Sequence, residues 1–285
     1  MKSFGNSFYL PTEEVGKFMK DGAMNNQEGI YLYGKADPSA KKFLPPPLEV
    51  PNPDDLMFYL YIVNIREPTF GPWYMEGGIG LMANYGDISG LYFLNLQLCG
   101  PGALMGAFSG REGSGLPKKI CDKIVVERTG DYGHCYMERG GVRLVEVELE
   151  MGSYNVPDMR FGPEGANERP GEIIQSGGCF LHRYKMDAPT FKDMELIFYD
   201  SFIKYDTWEP ATATITLNST LDDPYGEIEV TQVLGAAWSK CDNGVNGNST
   251  LYRYPEEEVP EVTRYLLAGR YDRSTMCSGS QTYDF

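Results

Sequence analysis

The stretch VEVELEM, Val145 to Met151, alternates without a break, placing Val145, Val147, Leu149 and Met151 on one side and Glu146, Glu148 and Glu150 on the other. Successive side chains of a strand point to opposite faces, so this is a strand with one face in a core and the other in water. A row of three glutamates is also compatible with a metal or partner patch, but such alternation is the ordinary mark of a solvated sheet face. Just before it, ERGGVR (Glu138 to Arg143) supplies Gly140 and Gly141, which tolerate the positive φ angles of a tight hairpin turn.

Outward from this segment, strand-type runs dominate: Leu56 to Asn64, Leu91 to Leu98, Lys123 to Arg128, Val142 to Met151, Cys179 to Met186, Met194 to Tyr199, Ala211 to Leu217 and Ile228 to Leu234. Gly, Pro, Asn and Asp fill the gaps, which predicts an antiparallel, mainly β fold. Helical signals are confined to PTEEVGKFMKDG (residues 11–22) and PEEEVPEVTRYLLAGR (residues 255–270), each acidic at its start, with Gly22 and Gly269 as C-terminal stops. The class is therefore mainly β (α+β) with a few peripheral helices. No repeat or linker divides the chain, so residues 1–285 read as one domain, ending in a mobile tail from about residue 271.

The composition, 42% hydrophobic and 23% charged, is that of a globular protein. Lys and Arg number 25 against 40 Asp and Glu, a net charge of −15 that argues against nucleic acid or an anionic membrane surface as partner. The same field repels an acidic substrate, so a carboxylate-binding site must supply its own positive charge. Six cysteines without C-x-x-C spacing, an N-terminus without an apolar core and the absence of any 18-residue apolar run predict a reduced, cytoplasmic protein.

Only His134 and His182 are present, which excludes a histidine-rich metal site; both read as structural. GGIG (Gly77 to Gly80) lacks the helix of a dinucleotide fingerprint, and there is no P-loop. No cofactor is expected. Lysine and glutamate chemistry remains. A neutral lysine amine attacks a ketone, and the resulting iminium draws electrons from the neighbouring carbon. Such an amine must titrate near pH 7 instead of roughly 10.4, through desolvation or a neighbouring cation. In GREGSGLPKKICDKIVVERTGD (Gly110 to Asp131), Lys118 and Lys119 stand behind Pro117 at a strand entry. In an extended chain they face opposite ways, so Lys118 can enter a dry pocket only with Lys119 turned elsewhere.

GREGSGLPKK resembles the signature of the acetoacetate decarboxylase family: an R-E dipeptide, a short spacer, then P-K-K. FLPPPLEV (Phe43 to Val50), GPWYMEGGIGLMANYGD (Gly71 to Asp87), ERGGVRLVEVELEM, and FLHRYKMD through VTQVLGAAWSK extend the resemblance over roughly Gln27 to Lys240. It implies a barrel-like antiparallel β fold, a cofactor-independent lyase that decarboxylates a β-keto acid, Lys118 as the Schiff-base nucleophile, Glu76 as the acid/base or orienting group, and a homo-oligomer. Activation of the lysine by a lowered pKa also comes with the resemblance.

Two positions depart from the family's pattern. Tyr61 stands where family decarboxylases carry a second glutamate, and Asn26 or Gln27 where they carry an arginine, so the charges that place a substrate carboxylate are missing. The pocket reads as re-specified. Tyr61 is then pocket wall or a hydrogen-bond donor to substrate, and Arg111 and Glu112 bind substrate or form an ion pair that shapes the loop. Aldol condensation or dehydration in secondary metabolism is the alternative within the superfamily, and a non-catalytic small-molecule-binding barrel the alternative outside it.

Overall fold

The computed structural model describes Glu13 and residues 22–159, 170–187 and 190–272. The strands are β1 (Ala23–Ala36), β2 (Leu56–Pro68), β3 (Tyr74–Tyr85), β4 (Ile88–Cys99), β5 (Lys118–Ile120), β6 (Lys123–Thr129), β7 (Tyr132–Arg139), β8 (Val142–Met151), β9 (Ile173–Asp187), β10 (Thr190–Leu217) and β11 (Val230–Arg253). The α-helices whose bounds lie within the described residues are α1 (Ala103–Ser114) and α2 (Val259–Arg270).

The strands form one sheet in the order β11-β1-β2-β3-β4-β9-β10-β8-β7-β6, with β5 beside β4 and a further pairing of β10 with β11. That last pairing curls β11, β1, β2, β3, β4, β9 and β10 into a ring. The ring is barrel-like and not fully closed, because its seam between β4 and β9 is a single parallel pair, Leu91 with Cys179. The long β10 serves both layers: Glu195 to Ala211 pairs with β11, and Ala211 to Leu217 leaves the ring to pair with β8.

Strand β8 behaves as its alternation requires. Val145, Val147 and Leu149 are buried, Glu148 and Glu150 are exposed, and each buried aliphatic contributes roughly 1.5–3 kcal/mol. Gly140 and Gly141 form the two-residue turn before it at φ 61° and 74°, closing the pair Arg139 with Val142. The wing β8-β7-β6 covers the outer face of the ring: Ile30, Leu32, Phe58, Leu60 and Ile62 join Ile124, Met137, Val145 and Val147 in one core. The intervening residues Tyr31, Val63 and Ile65 face the ring interior with Tyr59 and Tyr61. Both faces of β1 and β2 are thus covered, so these strands read as continuous apolar runs instead of alternating ones.

Helix α1 was not expected. Its buried positions, Ala103, Gly106 and Ala107, are small, whereas Leu104, Met105 and Phe108 are exposed, so its apolar periodicity does not mark the face it packs. The runs Met194 to Tyr199 and Ala211 to Leu217 belong to one strand, and β1, β3 and β7 add strands to those expected. The second expected helix is α2; the first, residues 11–22, lies outside the described residues apart from Glu13 and Gly22. Of the expected tail, Tyr271 and Asp272 are packed, and residues 273–285 lie outside the described residues.

Candidate active site

Helix α1 ends at Gly115, φ 80°, whose amide bonds back to Arg111 O at 3.0 Å, and the chain turns through Leu116 and Pro117 into β5. Strand β5 runs parallel to β4 in the register Leu96 with Lys118 and Gln97 with Lys119. Lys118 therefore follows Leu96 into the ring, and Lys119 follows Gln97 to the other side. The stem of Lys118 lies against the helix at Gly110, where a Cβ would sit 2.8 Å from both Lys118 Cδ and Cε. No side chain fits at position 110 without moving the lysine.

Inside the ring is a cavity of about 360 Å³, walled by Tyr31, Tyr59, Tyr61, Phe93, Leu96 and Tyr199, with Lys118 and Glu76 in its lining. Glu76 is opposite Val63 on β2, and Tyr61 is opposite Gly78 on β3. Glu76, Gly78 and Tyr61 share one face of the sheet, and Gly78 carries no side chain to part the other two. The Tyr61 hydroxyl donates to Glu76 Oε1 at 2.6 Å, and Lys118 Nζ lies 2.7 Å from Glu76 Oε2. The lysine and glutamate side chains are only 3% and 5% exposed. The lysine nitrogen also lies 5.7 Å from the centroid of the Tyr74 ring.

These partners define what the site can do. Burial, and next to it the carboxylate of Glu76, hold the Tyr61 phenol well above its usual pKa, so it remains a donor. Cys179, at the seam and in the cavity wall, is pushed up to about 12 by burial and by Glu76, which keeps it a thiol. Along the 2.7 Å contact one proton converts ammonium and carboxylate into amine and carboxylic acid, with no water and no third group needed. That transfer yields a nucleophilic amine and a positioned acid together.

Lys118, Glu76, Tyr61 and Gln27 line this one cavity. Asn26 does not: it is exposed, at φ 51°, in a bulge where β1 shifts register against β11 between Met24 and Gln27. Its amide donates to Asp242 Oδ1 and its Nδ2 to Glu67 Oε1, while Gln27 turns inward and donates to Met24 O at 2.9 Å. Arg111 and Glu112 belong to α1, behind the lysine. Glu112 is exposed, and Arg111 reaches the Lys118 carbonyl at 3.5 Å and stacks 5.3 Å from the Tyr271 centroid; neither lines the cavity.

Lys119 is buried on the opposite face, donating to Asp222 O at 2.7 Å and lying 3.4 Å from both Asp223 Oδ1 and Asp272 Oδ1. His182 is buried against Tyr254, and His134 bonds Glu146 at 2.8 Å. Of the tyrosine wall only Tyr61 was expected, although the sequence carries the signal of the rest: YLY occurs at Tyr31 to Tyr33 and again at Tyr59 to Tyr61, and the two triplets pair residue for residue. Among the described residues no group of His, Cys, Asp and Glu is arranged to hold a metal ion.

Residues 9–255 match the model of the family described as acetoacetate decarboxylase (ADC). The chain is 33% identical over 286 residues to the CLA biosynthesis isomerase of Lactiplantibacillus plantarum, a match spanning 97% of this chain and 99% of that protein. A solved acetoacetate decarboxylase superposes with a TM-score of 0.68 at 16% identity, covering 87% of this chain and 100% of the other. The enduracididine biosynthesis enzyme MppR, in complex with the condensation product of pyruvate and imidazole 4-carboxaldehyde, superposes at a TM-score of 0.62 and 14% identity, covering 90% and 99%. At these identities the two structures share the fold of this chain.

Proposed function

The chain belongs to the acetoacetate decarboxylase family, and from that premise we propose that it is a cofactor-independent isomerase that condenses Lys118 with an apolar unsaturated ketone and shifts the double bond. The observation that carries this reading is the Lys118–Glu76–Tyr61 chain, at 2.7 and 2.6 Å, inside a cavity walled by tyrosine and aliphatic side chains.

Glu76 takes a proton from Lys118, and the freed amine adds to the ketone carbon. Glu76 then gives that proton to the departing hydroxyl, releasing water and leaving the iminium. The iminium acidifies the carbon between itself and the double bond. Glu76 removes a proton there, forming a conjugated dienamine, and returns it at the far end of the former double bond. One C–H bond breaks, one forms, and water releases the conjugated ketone. Tyr61 holds Oε1 throughout, so one carboxylate serves both carbons from one side.

Two observations favour isomerisation over the family's decarboxylation. A relative 33% identical over 97% of this chain is named an isomerase. Among the described residues lining the cavity, Lys118 is the only one with a cationic side chain, and it is consumed in the iminium, so no second cation remains for a substrate carboxylate. Decarboxylation of a β-keto acid is the second reading, favoured by the family match and by the same lysine and glutamate.

The test supplies an apolar β,γ-unsaturated ketone and, separately, a β-keto acid. The expected result is growth of the conjugated-enone absorbance, with deuterium of an α-dideuterated ketone carried to the γ carbon, and no carbon dioxide from the keto acid. Glu76→Gln should lower the rate by roughly 10²–10⁴-fold. Carbon dioxide release without enone formation would establish the second reading instead.

A further inference from the structure

Four consecutive residues at the end of α2 and just beyond it each hold a different residue of the segment that carries Lys118. Gly269 packs on Pro117, where a Cβ at 269 would lie 3.3 Å from Pro117 Cβ and 2.8 Å from Leu94 O. Arg270, buried, donates through Nη2 to the carbonyls of Gly115 and His182. Tyr271 lies beneath the Arg111 guanidinium at 5.3 Å and shares a 2.8 Å hydrogen bond with Tyr184. Asp272 takes both its oxygens to Arg139 Nη2, at 2.9 and 2.7 Å, and lies 3.4 Å from Lys119 Nζ.

The grip at Lys119 is a quartet of two cations and two carboxylates. Lys119 and Arg139 face Asp223 and Asp272, so the charges balance, with Lys119 and Asp223 buried and Arg139 and Asp272 partly exposed. Strand β5 has three residues, and among the described residues it pairs with β4 alone, so it has little stiffness of its own. Because neighbouring side chains of a strand leave on opposite faces, a fixed Lys119 side chain fixes the direction in which Lys118 enters the cavity.

We propose that residues 269–272 form a strap that holds the Lys118 amine at bonding distance from Glu76, with Asp272 as a positioning residue acting through Lys119. The strap lies beyond residue 255, where the family match ends. The proposal rests on Lys118 being the nucleophile, and the test keeps the two claims apart.

Asp272 is the residue to change, being more exposed than its buried partners Lys119 and Asp223 and remote from the cavity wall. The probe is acetylacetone, which condenses with a neutral amine to an ultraviolet-absorbing enaminone; mass spectrometry locates the adduct. The labelling rate of Lys118 is followed upward in pH to its plateau, where the amine is fully neutral and the rate reports placement instead of charge. Asp272→Ala should lower this plateau about tenfold and speed exchange at the Gly115, Leu116 and Lys118 amides about tenfold, and Asp272→Glu should restore both to within about twofold.

An unchanged plateau in Asp272→Ala, with or without faster exchange, overturns the positioning role. If Lys118 of the unaltered protein takes no label, the nucleophile reading fails while amide exchange still decides the strap: faster exchange in Asp272→Ala sustains it, and unchanged exchange overturns it.

Discussion

The chemistry of this site rests on which atoms surround one carboxylate. Glu76 accepts a hydrogen bond at one oxygen from a phenol that stays protonated and is ion-paired at the other with Lys118, 2.7 Å away, which puts the two within reach of a direct proton transfer. Tyr61 has the subtler role. By the resemblance it stands where family decarboxylases carry a glutamate, and it donates a hydrogen bond to Glu76 where such a residue would bring a second negative charge. A hydrogen bond to a charged group is worth about 1.5–3 kcal/mol, so Tyr61→Phe should slow turnover about 10- to 150-fold if that bond is felt fully in the transition state. Steady-state kinetics should find the loss in kcat, with KM nearly unchanged. A loss confined to KM would mean that Tyr61 contacts the substrate instead of orienting Glu76.

At the scale of elements, the contact of α2 with β9 stores a pH response. His182, on β9, is packed between Tyr92 and Tyr254. The Tyr254 hydroxyl spends its proton on Pro46 O at 2.7 Å, so in the 3.1 Å bond His182 is the donor, through a hydrogen on Nε2. Burial, and after it the nearby Arg270, lowers the His182 pKa to about 3. The unfolded imidazole titrates near 6.5, so between these values the unfolded state holds a proton that the folded state refuses. Stability contributed by this group is present above about pH 6.5 and is lost as pH falls toward 3, about 4–5 kcal/mol in all. Urea unfolding at about pH 7 and about pH 4 should show the stability difference between the two shrinking by about 3 kcal/mol in His182→Asn. An undiminished difference would move the acid sensitivity to other groups.

Over the whole molecule, the sequence displayed those features in which local pattern and tertiary environment agree. VEVELEM is legible because one of its faces is wet; β1 and β3 escaped because polar and glycine residues, NNQEG in one and EGGIG in the other, interrupt their apolar runs. Helix α1 was hidden because the face it buries is made of alanine and glycine. Lys118, Glu76 and Tyr61 were legible through the motifs around them. The separation of Asn26 from Gln27 was not, since it depends on a bulge in the pairing of β1 with the distant β11. The strap from 269 to 272 was hidden for the same reason: its partners lie far away in sequence, Tyr184 being 87 residues from Tyr271, and only the folded chain brings them together. The central claim, a Schiff base on Lys118, is tested most directly by reducing the protein with sodium borohydride in the presence of an apolar unsaturated ketone. The account predicts one ketone-derived adduct on Lys118, with loss of turnover in proportion to its formation. An unmodified Lys118 in protein that still turns over at its full rate would contradict it.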